Sequence, residues 1–146
     1  MHLPDEASAH ALGERIAAVV RPGDVIALSG PLGAGKTSIA RGVLAALGLM
    51  GEAPSPSFAI VQPYDPPEVR LSVLHVDLYR IEDPDEALEL GLDEADDALL
   101  LVEWPERLGD DHWRDALWLT LAFDEAGGRR LTARVPDAWE SRWPLT

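Results

Sequence analysis

Residues Gly30-Pro31-Leu32-Gly33-Ala34-Gly35-Lys36-Thr37 contain the only lysine in a chain whose other basic side chains, histidine aside, are all arginine. The octet fits the phosphate-binding P-loop pattern G-x-x-x-x-G-K-[ST] at every fixed position. Glycines there let successive backbone N–H groups turn inward around phosphate oxygens, and the start of the following helix adds the positive end of its dipole. Lys36 would place a point charge on the β- and γ-phosphates, and the Thr37 hydroxyl would ligate Mg²⁺. Pro31, Leu32, Gly33, Ala34, Gly35, Lys36, Thr37 and Ser38 are therefore the expected phosphate-binding residues. The motif implies a nucleotide-binding protein.

Two acids could complete the chemistry. Glu103 directly follows the apolar run Leu99-Leu100-Leu101-Val102, which is the Walker B form, and Asp77 closes Val73-Leu74-His75-Val76 in the same way. In α/β folds ligands bind beyond the carboxyl ends of parallel strands, which sets Glu103 near a metal on Thr37. Acids are common at strand ends for reasons of solvation alone. With an intact P-loop, however, at least one acid must hold or polarise Mg²⁺ and water, and a role is assigned to both. His75 is read as a packed or surface residue without chemistry, since no second histidine sits at ligand spacing. Trp113, Trp118, Trp139 and Trp143 are expected in the core or at its rim. Trp104 adjoins the Walker B acid, where its ring could face the nucleotide or a docking partner, with core packing as the default.

The elements that must position these residues can be read from periodicity and punctuation. Asp5 can cap a first helix running to about Val20, with Leu12, Ile16 and Val19 or Val20 on its buried face. Pro22-Gly23-Asp24 turns into a buried strand, Val25 to Ser29, and Ser38 to Leu47 reads as a helix stopped by Gly48. A loop rich in Pro and Ser follows, Ala53-Pro54-Ser55-Pro56-Ser57. Phe58 to Gln62 and Leu71 to Val76 are expected to pair as an antiparallel hairpin around Pro63-Tyr64-Asp65-Pro66-Pro67. Asp83-Pro84-Asp85-Glu86 starts a short helix that Gly91 ends. Leu99 to Val102 is apolar throughout, as in a parallel sheet. Leu117 to Phe123 and Arg130 to Val135, separated by Ala126-Gly127-Gly128, form a closing hairpin. The expected fold is α/β: a three-layer P-loop NTPase arrangement whose mixed, mostly parallel sheet gains antiparallel hairpins, in a single domain over residues 1–146.

Composition narrows the partners. A formal net charge of −14 argues against a surface that holds nucleic acid directly, because phosphate contacts need clustered Lys and Arg. The absence of cysteine excludes disulfides, thiolate catalysis and Cys-based metal sites. No secretory leader or membrane-length apolar run is legible, so a cytoplasmic location and no membrane association are expected. Among nucleotide-binding classes, a GTPase needs an Asn-Lys-x-Asp guanine motif, and the chain has neither asparagine nor a second lysine. Arg107 and Arg114 could contribute to a kinase lid, but no arginine-dense insertion appears. The signature segments of larger ATPase classes are absent. A minimal ATP-binding module remains.

Gly33-Ala34-Gly35-Lys36-Thr37-Ser38, Ser55-Pro56-Ser57-Phe58, Asp77-Leu78-Tyr79-Arg80, Leu90-Gly91-Leu92 and Val102-Glu103-Trp104-Pro105 occur in an order and spacing that resembles the TsaE (YjeE) family. The resemblance covers nearly the whole chain, and the combination of P-loop, S-P-[ST]-F, D-L-Y-R and E-W-P makes it specific. It implies the ATPase component of bacterial tRNA threonylcarbamoyladenosine synthesis, the modification of the adenosine beside the anticodon in tRNAs reading ANN codons. It implies TsaD and TsaB as protein partners, with TsaD carrying the transfer chemistry and ATP hydrolysis keeping the complex turning over. Activity would be low alone and raised by the partners, the chain alone a monomer, and tRNA met only through the complex.

The same resemblance makes residues 31–37 the site of ATP or ADP phosphates and Mg²⁺. Glu103 becomes the metal-side acid, Asp77 a second acid near metal and attacking water, and Ser57 part of a switch-like loop near the γ-phosphate. Two positions depart from the family pattern. Pro31 stands where an acid or other polar residue is common, which removes one N–H from the loop. Ser57 stands where Thr is usual, keeping the hydroxyl and losing the methyl that restricts its rotamers. Contacts to adenine are poorly marked, with the start of the first helix and the region of Arg129 as candidates. Two other functions stay open: a small-molecule kinase, and a nucleotide-switched binding protein with negligible turnover.

Overall fold

The computed structural model describes residues 1–51, 53, 61–92 and 97–143. Among the described residues seven strands form one sheet: β1 (His2–Leu3), β2 (Val25–Ser29), β3 (Val61–Tyr64), β4 (Val73–Asp77), β5 (Leu99–Glu103), β6 (Leu117–Phe123) and β7 (Arg129–Arg134). Their spatial order is β1-β7-β6-β2-β5-β4-β3. The four inner strands β6, β2, β5 and β4 run parallel, whereas β7, β1 and β3 add antiparallel pairings at the two sides. The α/β class and mixed sheet expected from the sequence are therefore present.

Parallel strands buried on both faces need apolar residues at successive positions, and all five residues of β5 are buried. Alternation then sorts side chains between the faces. Ile26, Leu28, Leu99, Leu101, Leu117 and Leu119 join the core that packs beneath α1 (Glu6–Ala17) and α2 (Lys36–Ala46). Ala27, Leu100, Val102 and Trp118 point the other way, against Leu78, Ile81 and Trp113. Short 3-10 turns, at Pro105–Leu108 and Asp110–Trp113, contribute to this second cover where a larger fold would lay α-helices.

Asp5 caps α1 as expected. Its Oδ1 accepts the Ser8 N–H at 2.9 Å while Ser8 Oγ accepts the Asp5 N–H at 3.2 Å, a reciprocal capping box. The buried face is Ala9, Leu12, Gly13, Ile16 and Ala17, and the helix stops at Ala17, short of Val20. Small residues decide how α1 meets α2. A Cβ on Gly13 would collide with the Ile39 carbonyl, and one on Gly42 with the His10 carbonyl, so the two helices cross in backbone contact.

Other boundaries move by a residue or two. Strands β4 and β5 run through Asp77 and Glu103, making both acids the last residues of parallel strands, and α2 begins at Lys36, within the motif. Strand β3 covers Val61–Tyr64, a shift past the expected Gln62 that takes in Pro63, which an edge strand tolerates. Residues 58–60 of the expected strand lie outside the described residues. The helix begun by Asp83 is a 3-10 segment, Pro84–Leu90. Strand β1 was not legible, because two residues carry no period. It pairs His2 with Arg130 and Leu3 with Arg129. Trp113, Trp118 and Trp139 are buried, and Trp143 packs on the core. Among the described residues no helix is long and apolar enough to cross a membrane.

Candidate functional site

The glycine-rich loop joins the C-terminal end of β2 to the N-terminus of α2, where parallel-strand topology places ligands. Gly35 is the residue before the helix and holds φ at +110°, a conformation that side-chain-bearing residues rarely adopt. The loop is tied internally by Ala34 N–H donating to the Pro31 carbonyl at 3.1 Å. Pro31 lacks an N–H, so its contribution to the loop is made through this carbonyl.

Lys36 curls over that loop. Its Nζ donates to Gly30 O at 2.6 Å and Pro31 O at 2.9 Å, and lies 4.2 Å from the centre of the Trp104 ring. The side chain is only 5% exposed. Desolvation lowers its pKa from the ordinary lysine value, and the charges of Glu103, Glu106 and Asp77 oppose that fall.

Thr37, one residue on, donates its hydroxyl to Glu103, with Oγ1 at 2.9 Å from Oε1 and 3.2 Å from Oε2. This contact joins positions 66 residues apart and brings the two motifs together. Asp77 and Glu103 are paired partners on adjacent parallel strands, both buried. Asp77 Oδ1 accepts the Tyr79 N–H at 2.8 Å, which fixes the carboxylate relative to the chain leaving β4.

Trp104 is the only non-glycine residue with positive φ among the described residues, at +61°. A left-handed conformation costs an ordinary residue about 1–2 kcal/mol. Here it turns the chain sharply between Glu103 and the 3-10 turn that Pro105 opens, and Trp104 N–H donates to Leu28 O at 3.2 Å. The ring thereby gathers Lys36 and Tyr79, whose ring centre is 4.9 Å away, with the Arg107 guanidinium 6.0 Å from the Trp104 ring centre and 5.5 Å from that of Tyr79. Arg129 Nη2 donates to Gly33 O at 3.1 Å and its guanidinium lies 4.4 Å from the Phe123 ring centre.

Leu32 to Ser38, Asp77, Glu103, Trp104, Arg129 and the start of α1 line one open cleft of about 480 Å³. The structure thus brings together every expected phosphate-side residue from Leu32 to Ser38 and both acids. Ser57 lies outside the described residues. The start of α1 and Arg129 both reach the cleft, at the positions considered for adenine. Two contacts were missed. Glu6 Oε1 accepts the Ser38 hydroxyl at 3.0 Å, and His75 Nε2 lies 2.7 Å from Glu103 Oε2. The signal for His75 was present: two residues before Asp77 on a strand means the same face.

Among the described residues no cluster of three or more His, Asp or Glu side chains forms a metal cage of its own. Thr37 and Glu103 offer a hydroxyl and a carboxylate beside the phosphate cradle. That oxygen set fits Mg²⁺, which takes one or two carboxylates and completes its shell with water and substrate phosphates.

The family model for "Threonylcarbamoyl adenosine biosynthesis protein TsaE" matches residues 3–131. The tRNA threonylcarbamoyladenosine biosynthesis protein TsaE of Streptomyces coelicolor is 38% identical over 112 residues, 75% of this chain and 76% of that one. The protein of the same name from Bacillus subtilis is 41% identical over 103 residues, 69% of this chain and 61% of that one. The aligned segment is thus less than two thirds of the latter relative's length. The crystal structure of Bacillus subtilis YdiB superposes with a TM-score of 0.71 at 27% identity, covering 94% of this chain and 85% of that one.

Proposed function

The chain belongs to the TsaE family of threonylcarbamoyladenosine biosynthesis, and we propose that it is the family's Mg²⁺-dependent ATPase, hydrolysing ATP in support of the TsaB–TsaD complex. The observation that carries this reading is the hydrogen bond from Thr37 to Glu103, 2.9 Å long, which puts an acid at a strand terminus against the last residue of an intact phosphate-binding octet.

The chemistry follows from the side chains in place. The first backbone N–H groups of α2, which have no acceptor within the helix, would receive the phosphate oxygens, with the helix dipole adding to the attraction. Lys36 would exchange the Gly30 and Pro31 carbonyls for β- and γ-phosphate oxygens, which answer its charge more fully than neutral carbonyls do. Because the Thr37 hydroxyl spends its proton on Glu103, its lone pairs are left for a cation in the cleft. Thr37 and Glu103 would hold Mg²⁺, which supplies neutralisation of the charge spread over the phosphates. Asp77, anchored by the Tyr79 N–H, would accept a hydrogen bond from the attacking water and orient it toward phosphorus. Water adds to the γ-phosphorus, the bond to the ADP oxygen breaks, and ADP and inorganic phosphate leave. Ser57 near the γ-phosphate is retained from family resemblance alone.

Release of free phosphate from ATP, measured with and without TsaB–TsaD, tests the proposal. Phosphate release that rises with the partners is expected. A phosphorylated acceptor in place of free phosphate would make the chain a kinase, and nucleotide-dependent association without turnover would make it a switch.

A further inference from the structure

His75 is fully buried, at 0% exposure, yet only one side of its ring is answered. Nε2 lies 2.7 Å from Glu103 Oε2, while Nδ1 is buried without a hydrogen-bond partner among the described residues. A carboxylate can only accept, so the proton is assigned to Nε2, and Nδ1 is left as a bare acceptor. Simple packing does not account for an imidazole here. An aliphatic side chain would fill the space without burying an unanswered polar atom.

We infer that His75 is a positioning residue for Glu103, holding the carboxylate in the plane in which it receives the Thr37 hydroxyl. The backbone prepares the contact. His75 pairs with Leu101 across the parallel β4–β5 ladder, and Glu103 is two residues further along on the same face. The Glu103 carboxylate is then held from two sides, by Thr37 reaching both oxygens but nearer Oε1 and by His75 on Oε2. Two donors so placed fix both the position and the twist of a side chain with three rotatable bonds. With His75 replaced by an apolar residue, Oε2 would be a buried charged oxygen facing no second donor, and the carboxylate would turn toward the cleft and water. Thr37 would lose the acceptor that directs its proton, and with it the orientation of its lone pairs. The inference rests on the proposed reading of Thr37 and Glu103 as the Mg²⁺ side of the site. Partners that orient metal-side groups in this manner contribute about 10–100-fold to metal affinity or activity.

The test is calorimetric binding of ATP to the full chain, in Mg²⁺ and in EDTA, for the parent and for His75→Leu, His75→Asn and His75→Gln, with turnover measured beside it. Asn and Gln both introduce an amide, but only the longer Gln places its NH₂ near the position of Nε2. All variants should bind ATP alike in EDTA, because the phosphate cradle is untouched. The gain in affinity on adding Mg²⁺ should shrink about 10–100-fold in His75→Leu and His75→Asn and return in His75→Gln, with KM for ATP in Mg²⁺ rising by a matching factor and kcat falling as well. A parent-like Mg²⁺ gain in His75→Asn overturns the inference, as does His75→Gln performing no better than His75→Asn. Should the parent itself gain nothing from Mg²⁺, the metal-side reading falls first and takes the inference with it. Thermal unfolding identifies a variant that does not fold, and the Asn–Gln comparison stands without the Leu variant.

Discussion

At Lys36 the ammonium is held between two loop carbonyls and an aromatic ring, in a position from which phosphate oxygens can draw it. Lys36→Ala should therefore weaken ATP binding by about 10–100-fold, the equivalent of one charge-assisted contact worth about 1.5–3 kcal/mol. The unfolding midpoint should hold, since a desolvated cation is removed without leaving a buried anion unpaired: Thr37 and His75 still donate to Glu103. Isothermal titration with ATP alongside thermal unfolding checks both halves. Glu103→Ala and Asp77→Ala should behave in the opposite sense, lowering turnover while leaving nucleotide affinity in EDTA near the parent's, because they act on metal and water and not on the cradle. Steady-state kcat compared with ATP affinity for each variant decides whether either acid is a bystander. Lys36, Thr37, Asp77 and Glu103 were legible because each sits within or immediately after a contiguous pattern. Alternation put His75 on the face of Asp77, but its contact with Glu103 was not legible, since that partner is 28 residues away and is placed only once the β4–β5 register is known.

Strands and helices were legible in proportion to their length and apolar contrast. Strands β2, β5 and β6 stood out as apolar runs, and α1 was marked by its Asp5 cap. The two-residue β1 has no period to detect, and the segment after Asp83 closes as a 3-10 turn although its opening residues suit any helix. The tight α1–α2 crossing was also hidden, since Gly13 and Gly42 read locally as poor helix formers. Their value is only in contact with one another's helix. Gly42→Ala should destabilise the protein by about 1–3 kcal/mol or more, the range for overpacking a filled core, with the excess set by how far the helices must part. Urea unfolding measures this directly. The same displacement would move Glu6 from Ser38, so ATP affinity of the folded fraction should fall as well. An unchanged unfolding midpoint in Gly42→Ala would mean that the helices are not in backbone contact.

For the molecule as a whole, the cleft is open, and its described cations are already engaged: Lys36 with the loop carbonyls, Arg41 with the Ala53 carbonyl, Arg129 with Gly33 and Phe123. Under the proposed function, a docking surface must complete the site, so turnover should be slow for the isolated chain and rise with TsaB–TsaD. Association should be tighter with ATP than with ADP if the γ-phosphate selects the docking conformation, which a pull-down in each nucleotide tests. Trp104, set over Lys36, should report nucleotide arrival as a change in fluorescence, absent in Lys36→Ala if the lysine must move to produce it. A formal charge of −14 agrees with tRNA being met through partners, and the isolated chain should give no mobility shift with tRNA at physiological salt.

The lone lysine has one more consequence. Apart from the terminal amine, an acylating reagent has a single amine to find in this chain, and that amine is almost closed off by Gly30, Pro31 and Trp104. A lysine-specific protease likewise has one bond to cut, in the first turn of α2. Labelling or cleavage at Lys36 therefore reads the opening of the cleft itself, with no background from any other lysine, and occupancy by any phosphate-bearing ligand can be followed as the rate at which one side chain is modified.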